Sequence, residues 1–534
     1  MTKSLSKAIA LATLVGVSAS AQAVNINPDG LGEVLLYSLY TVEEGNVTEV
    51  NITNTSGVAK AVKVRFVEGQ NSRDVLDFNL YLSPYDQWTG LVTTSENGEG
   101  ARLITADTSC TAPQIPAGGV DFRDLEYTNS TYNGVTVDNR DGGDKTLART
   151  RVGHLEVIEM GTLVDTEEFE LATAVTHDHT KSGAAGTKPN NCDAITNALL
   201  GKNDHPWGTG AERNTPEYDE AMQTNMELSE PNSLYGHATI MNIADSTRMS
   251  YNAVAVANFL GNEDDGGTIH VRTGDTEPGL NSSKADSART AVLSDGTSVT
   301  FNEPVQAITA LLAKESISND YVIDEGRASQ TDWVITFPTK RFHVDTDFEY
   351  STWGGSAWSF DNNTANNTAD VEPFQEKWNK KRGEACNDIS ITYWDSEEFE
   401  EIDEKEIDFS PTRPGHENVP TLCYQTNIVT FNNGSVVGGD LLKQNLEFAQ
   451  PDFRYGWMNI DFDGAIEGEG GTVAGLPVIG FAATTMKNNV ANPGVNNNYG
   501  SLVEHKAVIN VANPGVNNNY GPLVEHKAVI NVSE

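Results

Sequence analysis

The chain has 534 residues, 38% of them hydrophobic, with 76 acidic against 35 basic side chains and a formal charge of −41. That apolar fraction supports a real core and excludes wholesale disorder, and the length allows two or three domains or one large elaborated sandwich. So negative a field repels phosphate backbones and anionic lipid, which excludes nucleic acid and membrane surfaces as natural partners, while it attracts divalent cations.

The chain opens with the signature of export. Lys3 and Lys7 give a positive start, an apolar stretch runs from Ala8 to Val17, and Ala21-Gln22-Ala23 forms an A-x-A cleavage pattern. Residues 1–23 are therefore expected to be a signal peptide and the mature chain to begin at Val24. Its charge then deepens from −41 to −43 as Lys3 and Lys7 leave. No later apolar run is long enough for a transmembrane helix. The expected location is outside the inner membrane: cell surface, extracellular space or periplasm.

Residues 24–160 carry the clearest strand pattern. Val34 to Tyr40 is β-rich, and in Asn46–Asn54 Val50 and Ile52 oppose Glu49 and Asn51. Val62, Val64 and Phe66 then oppose Lys63 and Arg65, and Leu76, Phe78, Leu80 and Leu82 oppose Asp77, Asn79 and Tyr81. Period-two alternation broken by turn residues predicts antiparallel strands with one apolar and one polar face, the pattern of an immunoglobulin-like β-sandwich. Asn97 to Leu147 reads as long loops, and Arg151 to Met160 as a returning strand. Residues 161–300 read as an irregular insertion, with a short helical pattern after Cys192 (Ile195, Leu199) and a hairpin around Ala244-Asp245-Ser246.

Residues 301–489 predict a second β-rich domain with one packed helix. Pro304 sits at a first-turn position, ahead of the stripe Val305, Ile308, Leu311 and Leu312. Trp333 to Phe337, Asn427 to Phe431, Trp457 to Phe462 and Leu476 to Ala483 read as strands. The chain is thus expected to be mainly β. Asp395 to Asp408 holds nine carboxylates against Lys405, the composition of a solvated edge that resists aggregation.

Residues 490–534 contain a tandem repeat. Val490–Asn510 recurs as Val511–Asn531 with one change in 21 residues, Ser501 to Pro522. So faithful a copy is a recent duplication rather than a solenoid. One copy is expected to supply a native last strand. The other either hangs as a tolerated tail or adds a strand to a neighbour through Leu523, Val524, Ala528, Val529 and Ile530. Pro522 is read as preceding that second strand, where a missing amide does no harm.

Cys110, Cys192, Cys386 and Cys423 form no C-x-x-C, and four cysteines allow three pairings. Cys110–Cys192 and Cys386–Cys423 are expected, because each closes a loop within one half of the chain. Calcium is the one cofactor the sequence suggests, through acidic loops containing Asp138, Asp141 and Asp144, then Asp264 and Asp265, then Asp461 and Asp463. None completes an EF-hand pattern, and glycine beside aspartate is also ordinary turn chemistry. His177-Asp178-His179 presents two imidazoles to one side but lacks a third zinc ligand in recognised spacing. Trp353 and Trp358 offer sugar-stacking rings, although core packing is the usual fate of tryptophan. There is no G-x-S-x-G, no H-E-x-x-H, no P-loop and no dinucleotide fingerprint, so no catalytic residue is assigned.

Lys60–Phe66, Asp77–Trp88, Leu234–Ile240, Trp333–Thr339 and the Asn-Pro-Gly-Val and Asn-Tyr-Gly of the terminus together resemble an uncharacterised family of exported proteins of marine gammaproteobacteria. The resemblance runs over most of the mature chain. It implies an envelope or surface location and carries no activity. The doubled terminal segment departs from that pattern. The expected function is a non-enzymatic surface or extracellular structural protein that assembles into a lattice or filament with itself or with other envelope components. A calcium-assisted adhesin or carbohydrate-binding protein is the second reading, and an exported hydrolase the third.

Overall fold

The computed structural model describes residues 23–132, 135–180, 188–199, 207, 216–274, 277–324, 326, 328–345, 350–351, 357–358, 371–397, 400–401, 408–411, 419–448, 453–488, 498–508 and 511–512. Residues 1–22, nearly all of the expected signal peptide, lie outside them, as does the Asn-rich stretch 362–368. The fold is mainly β, as expected, and its strands collect into two pairs of facing sheets.

The first pair joins an eight-stranded and a six-stranded sheet. The larger runs Asn25–Ile26, Val254–Ala257, Val34–Thr41, Val152–Leu163, Lys60–Glu68, Asp74–Leu82, Cys110–Ala112, with Met226–Glu227 added beside Val152–Leu163. The smaller runs Thr247–Asn252, Leu234–Asn242, Asn46–Asn54, Gln87–Thr94, Ala101–Ile104, Val120–Asp121. The alternation produces the core: Val62, Val64 and Phe66 meet Val50, Ile52 and Trp88 between the sheets. This strand order gives no support to the narrower immunoglobulin-like arrangement of seven or nine strands. Two boundaries also move. The stretch Asn97–Leu147 holds short strands that finish both sheets. The hairpin expected in an insertion, Leu234–Asn242 with Thr247–Asn252, is an integral edge of the smaller sheet.

The second pair follows the same logic. One sheet is Glu400–Glu401, Asn387–Asp395, Tyr455–Phe462, Ser316–Val322, Lys506–Val508, with Thr421–Leu422 beside Asn387–Asp395. The other is Asp408–Ser410, Lys443–Glu447, Thr426–Phe431, Ser329–Thr336, Ile479–Lys487, Asn498–Glu504. Trp333, Ile335, Val429 and Ala482 face the partner sheet. Their neighbours Val334, Ile428, Phe481 and Ala483 face the first body's core instead. A sheet buried on both faces reads as a continuous apolar run, which is why these strands alternate so weakly. The acidic run does supply edges, at Glu400–Glu401 and Asp408–Ser410, while residues 402–407 lie outside the described ones.

The predicted helix is Pro304–Leu312, with Pro304 in its first turn and Gln306 Oε1 accepting the Glu303 N–H at 3.1 Å. It packs with Leu36, Ile158, Met160 and Val256, on the face of the eight-stranded sheet that turns away from the sandwich core. Both expected disulfides are formed, Cys110–Cys192 and Cys386–Cys423.

The polar faces of the first strands are not solvated. Lys63 and Arg65 are at most 1% exposed. Arg65 donates to Glu156 and to Asp74, both at 2.8 Å. Lys63 pairs with Asp77, and Lys60 with Glu159 at 2.7 Å. Arg149 makes paired bonds to Glu68 and to Asp141, between 2.6 and 2.9 Å. Arg73 pairs with Asp345, which also accepts from Asn71 at 2.8 Å, and Trp378 Nε1 donates to Asp141 O at 2.7 Å. These last contacts join the first body to the segment of the second that runs between Ser329–Thr336 and Asn387–Asp395. Beside them His154 is fully buried, and burial followed by the charges of Arg341 and Arg65 holds its imidazole down at about 3, so it is neutral.

Two predictions follow from this charged layer. R149M leaves Glu68 and Asp141 buried without their counter-charge and is expected to destabilise the fold by about 3–5 kcal/mol, measured by urea denaturation. Glu33 lies buried near Glu159 and Lys60, and burial, reinforced by the charge of Glu159, pushes its carboxyl up to about 8. The folded chain keeps this proton where the unfolded chain has released it. Its stabilising contribution is therefore complete below about pH 4.5 and is lost as the pH rises toward about 8. E33Q is expected to flatten the decline in stability between about pH 5 and about pH 8; equal slopes in both proteins would show that Glu33 is ionised in the folded state.

Candidate functional site

The first copy of the terminal repeat occupies a built seat. Asn498–Glu504 pairs along its whole length with Ile479–Lys487, from Lys487 opposite Asn498 to Phe481 opposite Glu504. At His505 the chain crosses between sheets, and Lys506–Val508 pairs with Ser316–Val322. His505 is the pivot. Its ring is buried, its Nε2 lies 3.0 Å from Val334 O and its Nδ1 3.0 Å from Asn319 Nδ2. Burial, with the charge of Lys314, lowers this imidazole to about 3. Val511–Ala512, the first two residues of the second copy, then pair with Thr472–Val473.

The same strand touches the first body. Asn498 Nδ2 donates to Asp245 O at 2.7 Å, and Lys487 Nζ reaches Asp245 Oδ2 at 2.7 Å. A methyl group on Gly500 would come within 2.7 Å of Met249 Cγ, so a side chain there would force Met249 to shift. Leu502 packs against the first body's core. The described part of the first copy, residues 498–508, thus adds an edge to both sheets of the second body and closes the seam between the bodies. Outward, Tyr499 and Val503 are exposed.

Ser501, the first copy's counterpart of Pro522, falls inside this strand, while Pro522 itself lies outside the described residues. Amides face the partner at every second residue of an antiparallel ladder. His505 N donates to Gly480 O at 3.2 Å, so counting back in twos turns the Ser501 amide toward Thr484. Proline there would remove one ladder donor. Leu523, Val524, Ala528, Val529 and Ile530 of the second copy lie outside the described residues. Their counterparts Leu502, Val503 and Ala507 belong to the seated strands.

The acidic loops stay apart. Asp138 pairs with Arg140 at the surface, Asp141 is committed to Arg149, and Asp144 accepts from the Thr146 amide at 2.8 Å. Asp265 accepts from the Ser287 amide at 3.0 Å, and Asp264 takes part in the same turn through its amide bond to Asn262. Asp461 accepts from Asn459 at 2.7 Å, and Asp463 lends a backbone oxygen to Gln375. Among the described residues the one close group of metal-ligand types is Glu384, Cys386 and Cys423, whose sulfurs are joined to each other.

His177 and His179 line a cleft of about 400 Å3 with Ser83, Tyr85, Asp86, Asp107 and Thr108. The chain order gave no hint of these neighbours. His177 Nδ1 lies 2.9 Å from Ser83 Oγ and 3.7 Å from Asp86 Oδ2, and its Nε2 lies 3.3 Å from Thr108 Oγ1. A nucleophilic relay needs the hydroxyl and the carboxylate on opposite ring nitrogens. Here Ser83 and Asp86 share one nitrogen, so they form no such relay. Trp353 lies outside the described residues, as do the surroundings of the Trp358 side chain. The aromatic pair that the fold does build is Trp394 on Trp457, stacked at 3.8 Å across neighbouring strands.

S501P is expected to lower stability by about 1–3 kcal/mol through the lost ladder bond and its orphaned carbonyl, while P522S leaves the unfolding midpoint of dilute protein unchanged; calorimetry of both variants measures the contrast. Comparison with protein-family models, with curated proteins and with solved structures finds no match to this chain.

Proposed function

We propose that this is an exported structural protein that joins copy to copy by exchange of the repeated terminal strand. The observation that carries the reading is the seat of the first repeat copy, taken with a second copy that differs from it by one residue in 21. A segment able to close its own molecule has, directly after it, a near-identical segment able to close another. A neighbour's seat accepts the second copy when its own first copy is displaced, and that neighbour's second copy is then available to the next molecule. Such a contact is heterologous, and repeated without closure it gives a filament.

Two features keep the exchange in check. The first copy is tethered beside its seat, so its effective concentration there exceeds that of any copy arriving from solution. Pro522 makes the invading copy poorer by one ladder bond. Assembly therefore requires crowding, as at a surface. The two disulfides support a place outside the cytoplasm.

Deleting residues 513–534 keeps the seated copy intact. The truncated protein is expected to unfold at the same temperature as the full chain and to stay monomeric in light scattering at concentrations where the full chain forms filaments by electron microscopy. P522S is expected to lower the concentration at which filaments appear by about tenfold, the equivalent of about 1.4 kcal/mol. Filaments that persist after the deletion would remove the repeat from the assembly.

A further inference from the structure

We propose that the cleft between Tyr85 and His177 binds a neutral saccharide. Three loops converge to make it: the turn Ser83–Asp86 between two strands, the segment 106–108, and the segment of the insertion that carries His177 and His179. The Cys110–Cys192 disulfide ties the second of these loops to the helix that begins at Cys192, just after the third. The walls are thus held from both sides by covalent structure and by the His177 bonds to Ser83 and Thr108.

Tyr85 is the feature that ordinary packing does not explain. It is 75% exposed, and its backbone has φ 57°, a left-handed conformation that a bulky residue adopts at a cost. Its amide donates to Ser56 O at 3.0 Å and the Asp86 amide donates to Ser83 O at 3.3 Å, so the strained turn is fixed from both ends. The outcome is an aromatic ring held in solvent at the mouth of a cleft. Such a ring offers a face to the C–H surface of a sugar, while the surrounding groups meet its hydroxyls.

The rest of the lining selects the ligand class. Asp86 and Asp107 accept hydrogen bonds, the Thr108 hydroxyl and the His179 ring nitrogens offer polar partners, and His177 holds Ser83 and Thr108 in place around them. Both carboxylates are already oriented by their turns, Asp86 by the Ser83 amide at 3.1 Å and Asp107 by the Ser109 amide at 2.8 Å. Oriented carboxylates present their remaining lone pairs without reordering. Two acids beside the cleft and a charge of −41 disfavour an anionic ligand, and the scarcity of aliphatic lining disfavours an apolar one. The volume of about 400 Å3 lies within the size range of small-molecule sites.

The test is titration calorimetry of the full chain with the methyl glycosides of glucose, galactose and mannose, each with and without a chelator. One glycoside is expected to bind irrespective of chelator, with affinity reduced at least tenfold by Y85A and several-fold by H179A. Both side chains are exposed, so both variants should keep the parent unfolding temperature. Failure of all three glycosides to bind would overturn the proposal. So would binding that survives Y85A but is lost in W457A, which places the sugar on the stacked tryptophans. Zinc binding lost in H177A and H179A, with no glycoside bound, would make the cleft a metal site and likewise overturn it.

Discussion

Charge buried on the outer face of the eight-stranded sheet is the constraint on which this architecture depends. The outer face of Lys60–Glu68 puts Lys63 and Arg65 where no water reaches, and each is answered by an acid on an adjacent strand. Isolated ions there would be prohibitive, and even paired ones give little net stability compared with a well-packed apolar surface. What the layer does supply is register. Arg65 stands directly across from Glu156 on one side and Asp77 on the other. A slip by one residue would turn Arg65 into the sandwich core and strand both acids, so one alignment is selected. The same charges reach beyond the sheet, through Asp141 and Asp345, to hold the second body's segment between Ser329–Thr336 and Asn387–Asp395 against the first.

The second body answers with a sheet that has no solvent face at its centre. Val334, Ile428 and Phe481 pack on the first body while Trp333, Val429 and Ala482 pack on the facing sheet. Tyr251 and Phe481 meet across the seam with ring centroids 4.9 Å apart, and Thr336 Oγ1 donates to Ser38 O at 2.7 Å. The bodies are therefore continuous through side-chain packing, and the strand at 498–504 closes the remaining edge. This explains why so short a segment has influence out of proportion to its length.

Local rules made the strands of the first body legible, because alternation, turn residues and branched apolar side chains agree there. The helix at Pro304 was legible for the same reason, and the disulfides because each pairs cysteines within its own half of the chain. What could not be read was the surroundings. Lys63 and Arg65 look like a wet face until Glu156 and Asp77 are placed beside them, and alternation alone cannot distinguish water from a buried acid. Ser316–Val322 passed unnoticed because the polar Asn319 stands between Ile317 and Tyr321 on its buried face, and Asn387–Asp395 because Trp394 breaks its polar outer face. The hairpin at 234–252 was recognised as strands but assigned to an insertion, since its partner Asn46–Asn54 lies almost 200 residues earlier. His177 and His179 looked incomplete for want of a neighbour, and the fold brings Tyr85, Asp86 and Asp107 rather than a third close ligand.

The seam strand has a consequence for the order in which the molecule is finished. Its partners at 316–322 and 479–487 are all made before residues 498–508, yet neither sheet has its edge, nor the two bodies their seal, until that segment arrives. Contacts of such long range form slowly, because much of the chain must be ordered before they are rewarded. A chain emerging from its amino end would therefore hold both sheets open along this edge, however completely the earlier strands had paired, until residues 498–508 followed.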